Sequence, residues 1–210
     1  MNTRRSVSSM YQLDDLEQLL EQRPEWQRAL FAVSMAERLF PNYALFARVA
    51  EFGDAAVLRN ALDKTWDKLA GRRNVVHVEE LLDELDSVTP DLREFDMYGA
   101  HAALDSCVAL NTALNALESG EAADAASSAQ VVQECIAGFV EFTAPNDDLS
   151  DEELVRLINT HELTQQQDEY VAWLLDELKQ HTKVDAAWID ELRAAAVNEG
   201  VSAIGISDDE

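Results

Sequence analysis

Glycine, lysine and cysteine are all scarce in this chain, and each shortage excludes something. Seven glycines in 210 residues are too few for a nucleotide-binding βαβ unit, and no Gly-rich loop with a lysine is present to cradle phosphate. The two cysteines, Cys107 and Cys135, cannot build a disulfide framework. Each sits among apolar residues in a helical pattern and reads as a buried, reduced thiol. Lysine occurs only at Lys64, Lys68, Lys179 and Lys183. With 16 basic against 41 acidic side chains the formal net charge is −25, which argues against nucleic acid and anionic membrane as partners. Long apolar runs are missing too. The longest low-charge stretch, Tyr98 to Leu117, is broken by His101, Asp105, Asn111 and Asn115 and does not suit a bilayer span. No apolar segment follows Arg4 and Arg5, so no secretory signal is read and a cytoplasmic location is expected.

What is present is helical periodicity, with no alternating strand pattern of useful length. The expected fold is all-α, a multi-helix bundle of about nine or ten helices in one domain spanning 1–210. Residues 1–11 read as a flexible N-terminus, 146–150 as a hinge to a C-terminal helical pair, and 207–210 as a frayed tail. A short helix is expected over Gln12–Gln22, and a second from Pro24 through Phe40. Pro41 ends the second and opens a third, Asn42–Phe52, with Gly53 as a left-handed stop. Asp54 caps a fourth helix running to Ala70, closed by Gly71. Val75, Val78, Leu82 and Leu85 form the apolar stripe of a fifth. Ser87 to Asp96 is a connection, and Asp96 caps a sixth helix, Met97–Glu118. A seventh runs over Glu121–Phe142. Ser150 and Glu153 form a capping box for the eighth. The ninth spans Gln165–His181 and the tenth Asp185–Asn198, stopped by Gly200.

Two carboxylates fall in unexpected places. The second helix is apolar nearly all round, with Trp26, Leu30, Val33 and Phe40 on one face and Phe31, Met35 and Leu39 on the other, the pattern of a buried central helix. Glu37 lies in the middle of the first face, where a carboxylate is costly unless paired or protonated. The sixth helix carries one carboxylate, Asp105, with His101 one turn before it and Thr112 two turns after, on one side with Tyr98; Asn111 and Asn115 are adjacent. This is a polar seam on a helix that otherwise reads as buried. One reading makes Glu37 and Asp105 anchors of a hydrogen-bond network, with Arg38, Arg48, Tyr43 and Tyr98 as partners. The other makes them part of a pocket, a candidate cluster of Glu37, Arg38, Asn42, Tyr43, Tyr98, His101 and Asp105 that binds a ligand or a metal.

His101 and Asp105 could touch one metal, but two ligands are not a site, and no matching Glu-x-x-His occurs on another helix. Glu177 and His181 have the same spacing near a helix end and read as a solvated pair. His-Glu-x-x-His, Cys-x-x-Cys and Gly-x-Ser-x-Gly are absent, so an enzyme has no support in the motifs and no cofactor is implied.

Several strings run in order along the chain: Glu25-Trp26-Gln27, Ala36 to Tyr43, Phe52-Gly53-Asp54, Leu62-Asp63 with Trp66, Phe95 to Gly99, Leu104 to Leu110, and Ile204-Gly205-Ile206. From Leu19 to Ile206 the chain resembles the YjaG-like family, a bacterial domain-of-unknown-function group. The resemblance implies an all-α fold, assigns no catalytic or cofactor residue, and implies an association with histidine kinases. Phe52-Gly53-Asp54 is also a helix corner in its own right, with stop, turn and cap in sequence. Three functions are carried forward: a helical interaction protein with a protein partner, accessory to bacterial signalling; an acidic inhibitor or immunity-type protein masking a basic partner; and a small-molecule binder or enzyme using Glu37 and Asp105. The acidity itself has two accounts, a salt-adapted host or a basic partner, and composition favours the first.

Overall fold

The computed structural model describes residues 11–145 and 149–207, and among these the fold is an all-α bundle. Its helices are α1 (Leu13–Glu21), α2 (Glu25–Glu37), α3 (Phe40–Ala50), α4 (Ala55–Leu69), α5 (Val78–Val88), α6 (Tyr98–Ser119), α7 (Ala122–Phe142), α8 (Asp151–Thr160), α9 (Glu162–Gln180) and α10 (Ala186–Val197). A 3-10 turn over Asn198–Gly200 leads to a terminal loop closed by an antiparallel bridge between Val201 and Ser207. No helix among the described residues is long and apolar enough to cross a membrane.

Helix α2 is the axis. Every residue from Ala29 to Glu37 is buried, and α6, α7, α4, α10 and α9 pack around it. Leu30, Phe31, Val33 and Met35 have no exposed surface, and full burial of such a side chain stabilises by roughly 2 kcal/mol. Helices α6 and α7 form a hairpin through Gly120 at φ +68. Helix α3 lies on α6, α5 on α4 and α6, α1 on α7, and α8 and α9 also pack on α7.

Several helix ends differ from expectation, each for a physical reason. Helix α2 stops at Glu37 instead of Phe40. In a continuing helix the ring of Pro41 would meet the carbonyl of Glu37, four residues back. The chain bends at Arg38 and Leu39, and α3 begins at Phe40 with the proline in its first turn. Helix α3 ends at Glu51, itself left-handed at φ 52; Gly53, at φ +67, forms the turn beyond it. Asp54 caps α4 by accepting from the Ala56 amide at 2.8 Å. On α5 the inward stripe is Val78, Leu81, Leu85 and Val88, whereas Val75 precedes the helix and is exposed. Asp96 does not cap α6; Met97 is the cap residue and offers no side-chain bond. Helix α9 begins at Glu162, three residues early, because the His161 ring accepts from the Leu163 amide. The Ser150–Glu153 capping box is present with both bonds made.

Of the expected hinge, residues 146–148 lie outside the described residues; Leu149 packs against the core and Ser150 is the α8 cap. Residues 1–10 and 208–210 also lie outside. Tyr11, expected within a flexible N-terminus, packs against the core, and Ser207, expected as tail, is bridged to Val201.

Candidate functional site

The seven candidate polar residues do not form one cluster. They divide among four places, set by the corner between α2 and α3. Glu37, at the end of α2, points toward α4 and is 2 % exposed. Arg59 grips its carboxylate with two parallel bonds, Nη1 to Oε1 at 2.5 Å and Nη2 to Oε2 at 2.8 Å. The Trp66 indole N–H donates to Oε2 at 2.8 Å. Arg59 also lies over the Phe40 ring, 4.9 Å from its centroid, and donates to Asp63, which in turn is held by Arg193 of α10. Burial works against the Arg59 charge, but the bonds and charge of Glu37 and then Asp63 outweigh it and leave the guanidinium more basic than usual. The partner of Glu37 is therefore Arg59, 22 positions further along the chain.

Arg38 turns the other way, toward α9. Its Nε donates to Gln167 Oε1 at 2.9 Å, and its guanidinium lies 4.2 Å from the Tyr170 ring centroid. Burial lowers its basicity. The Tyr170 hydroxyl is buried beside Ser34, with no partner in hydrogen-bonding geometry, and burial pushes its pKa up to about 12. The Arg38 carbonyl, freed where α2 breaks, accepts from the Ala203 amide of the terminal loop at 2.9 Å.

Tyr43 belongs to the corner between α3 and α4. Its hydroxyl donates to the Val88 carbonyl at 2.7 Å and accepts from the Asp54 amide. A β-carbon at Gly53 would stand 2.3 Å from that oxygen. The Phe52-Gly53-Asp54 string is thus a seat for Tyr43, and Phe52 packs on Phe46 and Phe95 at 6.0 and 5.0 Å.

The fourth place lies between α6 and α7. Asn42 is 3 % exposed; its Nδ2 reaches the Cys135 sulfur at 3.8 Å, while its Oδ1 has no partner. The Cys135 thiol donates to Asp105. Burial raises the Cys135 pKa well above the usual thiol range, with Asp105 adding to it, and burial, opposed by a hydrogen bond with Thr89, pushes Cys107 up to about 12. Burial thus disfavours the thiolate, the reactive form, at both positions. Asp105 is half-buried. Burial raises its pKa to about 6, opposed by the Cys135 bond, assisted by Glu134 and opposed by His101. Burial also raises the Tyr98 pKa, with Cys135 and Asp105 adding to it.

Helix α6 itself corrects the expectation that its polar seam is shut away from water. His101, Val108 and Asn111 are exposed, and Asp105, Thr112 and Asn115 are half-buried. The seam is the outer face of the helix. The weak contrast between an Ala-rich inner face and a Thr- and Asn-bearing outer one concealed this in the sequence. Glu177 and His181, expected as a solvated pair, do face each other at 3.7 Å with both side chains partly exposed, and they are also docked on α10. The His181 ring stacks on Trp188 at 4.1 Å, and the Trp188 indole N–H donates to Glu177 at 3.0 Å. Among the described residues no three His, Cys, Asp or Glu side chains are grouped to hold a metal. A cavity between α7 and α9, lined by Gln133, Ile136, Thr164, Gln167 and Asp168, has a volume of ≈10 Å³, roughly the space of one water.

Chemically, Glu37 has both oxygens committed to Arg59 and Trp66, whereas Asp105 is a solvent-touching acid able to change charge near neutrality. Fold and site define an all-α bundle in which the most secluded carboxylate among the described residues is a tie between helices. The chain belongs to the DUF416 family, proteins of unknown function, whose family model matches residues 15–207. It is 30% identical over 188 residues to the uncharacterised protein YjaG of Salmonella typhimurium, covering 90% of this chain and 94% of that one. With uncharacterised protein YjaG of Escherichia coli K12 the identity is 33% over 135 residues, 64% and 69% of the two chains. The crystal structure of a DUF416 family protein from Shewanella baltica OS155 matches with a TM-score of 0.83 at 32% identity, covering 91% of this chain and 97% of that chain.

Proposed function

We propose that this chain is a cytoplasmic interaction protein, accessory to bacterial signalling, that works by docking on a protein partner; the histidine-kinase association comes from family resemblance. The observation that carries the reading is the seam of α6, which turns polar and apolar side chains together toward solvent. Glu37 is poorly suited to the competing role of catalytic acid or base, since Arg59 and Trp66 occupy both oxygens. The immunity-type reading needs acidity gathered on one face, whereas exposed carboxylates occur on α1, α5, α8, α9 and α10.

The test is affinity capture of the tagged full chain from its host at near-host salt. Reproducible enrichment of a histidine kinase or its signalling partner is expected, and repeated capture with nothing above background would remove the reading. Glu37→Gln separates structure from catalysis. It should lower stability by about 3 kcal/mol, the usual cost of breaking one side of a buried ion pair, and leave capture unchanged below its melting temperature.

A further inference from the structure

The outer side of the α6–α7 hairpin combines two features. First, no lysine or arginine occurs between Arg93 and Arg156, so neither helix carries a cation apart from any charge on His101. Second, aromatic surface is presented there. Phe142 is 64% exposed, and its ring is stacked on Tyr98 with centroids 4.3 Å apart and planes 15° from parallel. Tyr98 also lies against His101 and Phe139 at 6.2 and 6.0 Å. One turn beyond His101 stands Asp105, with Glu134 facing it from α7, and Val108, 41% exposed, continues the stripe.

An exposed aromatic pair with two facing carboxylates about two helical turns away suits a segment that lays apolar surface on the ring and sets a guanidinium against the acids, which it can hold with more than one N–H. We infer that the α6–α7 face is a docking surface for an arginine-bearing, partly apolar segment of a partner protein. The inference rests on the interaction role proposed above and deepens it by naming the face and the partner's chemistry. A second copy of the chain fits poorly, because two helices without lysine or arginine would meet the same two on molecules of net charge −25 each. Diffuse acidity does not select a face, since α5 is at least as acidic; the exposed ring on the same face as the Asp105–Glu134 pair does.

The experiment titrates the full chain with a fluorescein-labelled synthetic peptide carrying leucine and arginine at helical spacing, followed by anisotropy at salt high enough to screen diffuse attraction. Saturable binding is expected, with amide shifts in a ¹⁵N spectrum concentrated on α6 and α7. Phe142→Ala removes no charge and, at an exposed site, leaves the fold intact by circular dichroism; it should weaken binding about tenfold. Trp173→Ala, at another exposed aromatic on α9, should leave binding unchanged, as should Glu79→Gln with Glu80→Gln on α5. Absence of binding, equal binding by Phe142→Ala, or loss that follows Trp173 or α5 would each overturn the assignment. Capture of the host partner that survives Phe142→Ala also overturns this face while leaving the interaction role standing. Failed capture of any partner by the wild-type chain, with peptide binding still sensitive to Phe142→Ala, removes the signalling role and supports the face.

Discussion

At the Tyr43–Gly53 contact there is no space for a methyl group. A β-carbon would enter to 2.3 Å of a hydroxyl oxygen already committed to Val88 and Asp54, at a backbone φ of +67. Gly53→Ala should cost about 3 kcal/mol, from left-handed strain and displacement of a buried hydrogen bond together. Tyr43→Phe alone should cost about 1 kcal/mol. The double variant, having no hydroxyl to displace, should lose less than the sum in urea denaturation; strict additivity would show that the contact is not felt. Asp105 gives a prediction of opposite sign. Its folded pKa of about 6 lies above the ordinary 3.8, so protonation favours the fold. That contribution is full below 3.8 and is lost as pH rises through about 6. Asp105→Asn should therefore stabilise by up to about 3 kcal/mol above pH 6, with the gain vanishing in acid. A gain independent of pH would sink this account. Glu37 was legible as an anomaly because an acid stands out in an apolar stripe. Arg59 was not, since only the packing of α4 on α2 brings the two together, and no local spacing encodes it.

The corner between α2 and α3 shows how elements depend on distant chain. Pro41 forces the break, the break frees the Arg38 carbonyl, and Ala203 of the terminal loop answers it. Ala203 and Ile204 are buried there, and the Ser202 hydroxyl accepts from the Ile204 and Ile206 amides. Gly205, at φ +75, turns the loop beside Leu163 of α9. Ile204→Ala should destabilise by about 3 kcal/mol, the range for a buried aliphatic truncation, measured as a lowered urea midpoint. A change below about 0.5 kcal/mol, typical of surface sites, would mean that the loop is not anchored. Caps such as Asp54 and Ser150 were readable in advance because their chemistry lies within one turn. The start of α9 and the true end of α2 were not. The first depends on a His161 ring acting as a cap, and the second on a clash four residues ahead of the proline.

Over the whole molecule, charge is distributed instead of gathered. Exposed acids on α1, α5, α8, α9 and α10 repel one another at a net −25, while ties between elements such as Arg72–Asp190 and Arg193–Asp63 are partly exposed. Exposed ion pairs contribute under about 1 kcal/mol each, so screening relieves more repulsion than it costs in attraction. The melting temperature should rise from low to moderate NaCl and level off as the screening length falls below about 10 Å. A fall over that range would show that the ion pairs dominate.

The clasp at residues 203 and 204 also bears on how the molecule is made. On the ribosome the first helices emerge long before Ala203 has been synthesised, so the Arg38 carbonyl has no amide to meet, and burying it unpaired is unfavourable. The nascent bundle therefore stays open at that corner until the segment carrying Ala203 has emerged, about 165 residues behind the carbonyl it meets.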